Sequence, residues 1–109
     1  MLNWKPLENR EQLEDIVSRS THVPQLIFKH STRCSISAIA KNRLERQEVP
    51  SNVEFHFLDL LRFRTLSDEV AKIFNVRHES PQVILVKNGV STFDASHTGV
   101  EMTSISSAL

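Results

Sequence analysis

Apolar positions along this chain switch period several times, between about 3.6 and 2, and the switches predict helices alternating with strands. Leu2 to Lys5 reads as a short first strand. Asn9, with Gln12 three residues later, forms a capping-box pattern ahead of Leu13, Ile16 and Val17, so residues 9–20 are predicted as the first helix. Val23 to Lys29 encloses Leu26-Ile27-Phe28, a short buried strand with Pro24 at its start, where proline is tolerated. Ile36, Ala40 and Leu44, with Ile39 beside them, repeat at helical spacing, so a second helix begins within a residue or two of Cys34. Val53, Phe55 and Phe57 alternate with Glu54, His56 and Leu58 as a strand with one apolar face, Asp59 lying just beyond its end. Leu66, Val70, Ile73 and Phe74 form a third helical stripe, with Thr65 or Ser67 as its expected cap. After Pro81, Val83 to Val86 and Ser91 to Ala95 flank Asn88-Gly89, a hairpin signature, and Met102, Ile105 and Leu109 suggest a short last helix. The order is β-α-β-α-β-α-β-β-α. It predicts an α/β domain with parallel pairing where helices intervene and an antiparallel pair at the Asn-Gly turn.

Composition narrows what such a domain can do. A chain of 109 residues holds one core, so residues 1–109 are read as a single domain. Thirteen basic residues balance thirteen acidic ones, which removes the electrostatic footprint expected of a partner to nucleic acid or to an anionic membrane. No apolar run approaches the roughly 18 residues of a membrane span. The charged first twenty residues contain nothing like a signal peptide, so the expected location is the cytoplasm. A single cysteine excludes an intrachain disulfide and suits a reducing compartment. The histidines at 22, 30, 56, 78 and 97 lack metal-ligand spacing, so no metal site is expected.

The element order, together with a cysteine opening the helix after the second strand, resembles the thioredoxin superfamily. Asn75-Val76-Arg77 through Ser80-Pro81 to Val86-Lys87-Asn88-Gly89 is similar to the stretch in which a cis-proline precedes a strand ending in Lys-Asn-Gly. Lys29-His30-Ser31-Thr32-Arg33-Cys34-Ser35-Ile36-Ser37 resembles the corresponding segment of the monothiol bacilliredoxins of the YtxJ type, where Cys-x-x-Cys has become Cys-x-x-Ser. The resemblance implies a thioredoxin-like fold, a cis bond at Ser80-Pro81, Cys34 as the attacking thiol and Ser37 where a resolving cysteine would stand. It also implies that the backbone of Ser80 pairs with the bound thiol compound. The candidate catalytic residues are thus Cys34 and Ser37, and Arg33, Ser35, Ser80 and Pro81 are the candidates for thiol binding. Ser35 departs from the proline expected directly after the cysteine in many family members.

Chemistry bears on each candidate. Thiolate is the attacking species, and near neutral pH a free thiol is mostly protonated. Unpaired amides and the positive end of a helix dipole at Cys34 would favour the anion, with Arg33 adding a cation next door. The plainer reading of Cys34 is a small buried hydrophobe, which explains neither its strand-then-helix position nor Pro81 downstream. Ser37, three residues on, shares a helix face with Cys34; its hydroxyl either donates to the thiolate or is simply solvated. Pro81 can be read as a strand-start proline, Thr32, His78 and Glu79 as solvated loop residues, and His30 as a strand-end residue or a proton shuttle. The reading that unites these features is a monothiol oxidoreductase that removes a low-molecular-weight thiol, bacillithiol by family likeness, from mixed disulfides on client proteins. Its expected co-substrate is bacillithiol, with no tightly bound cofactor, and an external thiol or redoxin regenerates it. The alternatives are a cluster-bridging protein like the monothiol glutaredoxins, and an interaction module that has lost exchange.

Overall fold

Nine elements follow in the predicted order in a computed structural model that describes residues 2–109. They are β1 (Trp4–Pro6), α1 (Arg10–Arg19), β2 (Gln25–His30), α2 (Ser35–Arg46), β3 (Glu54–Asp59), α3 (Arg64–Phe74), β4 (Gln82–Lys87), β5 (Val90–Ser96) and α4 (Met102–Ala108). A 3-10 turn at His97–Gly99, which the sequence pattern does not announce, joins β5 to α4. The sheet order is β1-β3-β2-β4-β5.

Strands β1 and β2 flank β3 and run parallel to it, while β4 lies antiparallel to β2 and β5 antiparallel to β4. Parallel pairing wherever a helix intervenes is therefore corrected at α3. Both edges of β3 are occupied, so the strand after α3 joins the free edge of β2 in the opposite direction. The β4–β5 hairpin turns at Asn88 and Gly89, both at positive φ (53° and 77°), the geometry for which Asn-Gly is favoured.

Pleating divides the core. Ile27, Leu58, Ile84 and Val86 face α1 and α3, which contribute Leu13, Ile16, Leu66, Val70 and Phe74. Leu26, Phe28, Phe55, Val83 and Leu85 face α2 and α4, which contribute Ala40, Leu44, Met102 and Ile105. Because β3 is an interior strand, its second face is covered too, contrary to the single apolar face expected. Leu58 is buried, and buried His56 has Nε2 2.7 Å from Gln25 Oε1, its pKa pushed down to about 4 by burial.

Helix starts test the capping expectations. Asn9 Oδ1 accepts the Gln12 N–H at 2.9 Å, and Gln12 Oε1 accepts the Glu8 N–H at 2.6 Å, so α1 begins as read. Helix α3 does not begin at Thr65 or Ser67. Its N-cap is Phe63, which makes no side-chain cap bond and packs against the core; Ser67 is buried inside the helix. Packing of an aromatic ring fixes this entry where a polar cap was expected.

Candidate functional site

Cys34 is the N-cap of α2, with extended backbone (φ −107°, ψ 120°), and its thiol is free and partly exposed. The chain reaches it from the end of β2 through a tight turn in which the Cys34 N–H donates to Ser31 O at 3.1 Å. The N-cap position leaves the first amides of α2 without intrahelical partners beside the sulfur. Cys34 itself makes no side-chain cap bond.

The Ser80-Pro81 peptide bond is cis, as the loop resemblance implies. Pairing of Lys29 with Gln82 sets the start of β4, and so Ser80-Pro81, at the end of β2 from which the chain runs to Cys34. The two segments that carried the resemblance thus lie at the same end of the sheet. Pro81 is buried and its carbonyl accepts the His97 N–H at 3.0 Å; the Ser80 hydroxyl is buried with no hydrogen-bond partner. Thr32 and Arg33 in the loop, and Ser35 at the first position of α2, are exposed.

Ser37 is not a solvated helix serine. It is fully buried, its Oγ accepts the Ser31 N–H at 3.1 Å, and it lies 2.6 Å from His30 Nδ1. The buried stripe of α2 is Ser37, Ala40 and Leu44, which corrects the Ile36-Ala40-Leu44 stripe read from sequence. At about 100° per residue, a face centred on those three leaves Ile36 at its rim and Ile39 outside it. Both isoleucines are more than half exposed (57% and 58%).

His30 is 6% exposed and stacks on Phe28, and burial lowers its pKa, with Lys41 adding to the effect. The neutral imidazole is thereby favoured. Nothing in the local sequence singles out Lys29, its neighbour, yet it is completely buried. Its ammonium donates to Ser67 O and to His78 Nδ1, both at 3.1 Å, and burial brings its pKa down to about 8. Its central-strand position was the available signal, because both faces of such a strand are covered. His78 sits three residues before Pro81, so Lys29 ties the proline loop to β2. Burial first, then Lys29, lowers the pKa of His78.

Among the described residues no group of three or more His, Cys, Asp or Glu side chains could hold a metal ion. None of the described helices is long and apolar enough to cross a membrane.

Comparisons with known proteins agree with this fold. A solved structure described as a candidate oxidoreductase with a thioredoxin fold is 30% identical, with a TM-score of 0.78 over 94% of this chain and 90% of that one. Thioredoxin from Malassezia sympodialis shares the fold at 14% identity, with a TM-score of 0.75 over 99% of this chain and 89% of that one. Mitochondrial thioredoxin 3 from Saccharomyces cerevisiae does so at 17% identity, with a TM-score of 0.71 over 95% and 91%. The family described as monothiol bacilliredoxin BrxC matches residues 5–105. Because that match spans nearly the whole chain, the protein belongs to the monothiol bacilliredoxin family and is a thiol-disulfide oxidoreductase with one thiol to work with.

Proposed function

We propose that this protein removes a low-molecular-weight thiol, bacillithiol by its family, from mixed disulfides on other proteins, with Cys34 as the attacking group. The observation that carries the reading is the lone sulfur at the N-cap of α2, unspent as a cap and facing no second thiol, since the residue one turn on is Ser37. In the first step the Cys34 thiolate attacks the small-thiol sulfur of the mixed disulfide. That S–S bond breaks, the client leaves as a thiolate that takes up a proton, and Cys34 is left disulfide-bonded to the small thiol. A second small thiol, as thiolate, then attacks the small-thiol sulfur of that adduct, releasing Cys34 and forming the oxidised small-thiol dimer. A separate NADPH-linked flavoprotein would reduce the dimer. The exchange uses only sulfur on the reactants and asks for no resident cofactor.

Arg33, Ser35 and the Ser80-Pro81 segment would receive the small thiol. The exposed Ile36 and Ile39 of the helix that Cys34 caps suit protein clients, which present apolar surface that a free small thiol does not.

Intact mass after incubation with a bacillithiolated client tests the scheme. Wild-type protein should gain one small thiol per chain and stop there until external thiol is added, and Cys34→Ser should gain none. Ser37→Cys, one helical turn from Cys34, should clear its own adduct. Wild-type protein that cleared the adduct unaided would defeat the monothiol reading.

A further inference from the structure

Helix N-caps are ordinarily Ser, Thr, Asp or Asn, whose side chains close an orphan amide of the first turn. Cys34 does not, so the start of α2 must be held some other way. Ser37 supplies that hold. Its Oγ accepts the Ser31 N–H at 3.1 Å, while Ser31 O accepts the Cys34 N–H at 3.1 Å, so the Ser31–Cys34 loop is clasped from both sides. Ser37 in turn lies 2.6 Å from His30 Nδ1. The imidazole has little freedom: it is stacked on Phe28 at 5.6 Å between centroids and tilted against Phe57 at 5.3 Å.

We propose that His30 is a positioning residue for the exchange reaction, acting through Ser37 to fix the Ser31–Cys34 loop so that Cys34 can be an N-cap without spending its sulfur as one. The inference rests on Cys34 being the attacking thiol. The protons can be accounted for. Ser37 Oγ already accepts from Ser31, and its own O–H, enclosed in the core, finds its acceptor in His30 Nδ1; the imidazole proton is then on Nε2. Ser37 is thus a working part of the site, and its hydroxyl is committed to the clasp.

Three variants of the full chain test this: Ser37→Ala, His30→Leu and His30→Asn, the last because an Asn side chain carries a polar atom close to the place of imidazole Nδ1. Hydrogen exchange at the Ser31 amide should quicken about tenfold in Ser37→Ala and His30→Leu, the loss of about one hydrogen bond, and recover in His30→Asn. The rate at which Cys34 attacks a chromogenic aromatic disulfide should fall about tenfold in the same two variants and recover in the third. Nitrogen NMR of the wild-type imidazole should report the Nε2–H tautomer. An Nδ1–H tautomer would free the serine hydroxyl from the clasp and overturn the proposal, as would Ser37→Ala with unchanged Ser31 protection and unchanged rate. Should His30→Leu fail to fold, Ser37→Ala, a one-atom deletion, decides. A wild-type chain inert toward the disulfide would sink the reading of Cys34, and His30's part in exchange with it. A reactive wild type whose variants react equally fast would sink the positioning role alone.

Discussion

Lys29 and His30 end the same strand, but pleating sends one side chain toward α1 and α3 and the other toward α2 and α4. On the first face an ammonium, fully buried, reaches Ser67 of α3 and His78 of the loop before Pro81. On the second, an imidazole kept neutral by burial reaches Ser37 of the helix that Cys34 caps. Each of the two segments that build the site is therefore anchored to β2 by its own polar contact. The contacts differ in kind. Burying a charge is costly even with partners, so the lysine side is felt mainly as stability and its pH dependence. The histidine side buries no charge, and its consequence is the placement of a reactive loop.

The largest expected effect lies on the lysine side. Lys29 titrates near 8 when folded against an ordinary 10.5, so between those values the unfolded chain binds more protons than the folded one. Stability from this group is then complete above about pH 10.5, declines as pH falls to about 8, and is level below that. The span corresponds to about 3 kcal/mol. Denaturant melts at about pH 7.5 and about pH 10 should show wild-type protein gaining stability relative to Lys29→Met, which keeps the length of the stem without its charge. Parallel profiles for the two proteins would mean that the ammonium does not feel its burial, and the contrast between the faces would collapse.

The same variant sharpens the comparison through a smaller effect. Lys29 is the second cause, after burial, of the lowered pKa of His78, and it is not among the groups acting on His30, which responds to burial, Lys41, Asp59, Glu45 and a hydrogen bond with the Ser37 backbone. In Lys29→Met, NMR titration should find the His78 pKa moved up and that of His30 unmoved. Movement of both would show that the two contacts belong to one electrostatic unit.

Much of this architecture can be read from residue order alone, because local chemistry specifies it. Asn9 with Gln12 and Asn88 with Gly89 each act within a few residues, and both behave as read, whereas the cis bond at Ser80-Pro81 follows from the family resemblance. What failed to show was set by tertiary placement. The pairing of β4 depends on which strand edges are free, the entry to α3 depends on where Phe63 packs, and the burial of His56 depends on β3 being interior. At the site, Cys34 is legible from its place before a helix, but the clasp is not. Ile36 and Ile39 outweigh Ser37 in an apolar pattern, although Ser37, Ala40 and Leu44 share the spacing of a buried face. Lys29 escapes for a related reason: a lysine at a strand end reads as solvent-facing until both faces of the strand are known to be covered.

The smallest effect is the one that asks whether the anchors are separate. Lys29 and Ser37 share no hydrogen-bond partner, since Lys29 bonds to Ser67 and His78 while Ser37 bonds to His30 and Ser31. They lie on opposite faces of the sheet, and changes at sites without common partners ordinarily add to within about 0.5 kcal/mol. Denaturant melts of Lys29→Met, Ser37→Ala and the double variant at one pH close the cycle, and its coupling energy should fall inside that limit. Lys29 and His30 also share a peptide link, through which a shift of the strand end would carry strain from one face to the other. A coupling above about 1 kcal/mol would show that it does. The proline loop and the Cys34 helix would then be set by a single rigid strand end, and a change on the lysine face would be expected to slow exchange at Cys34 as well.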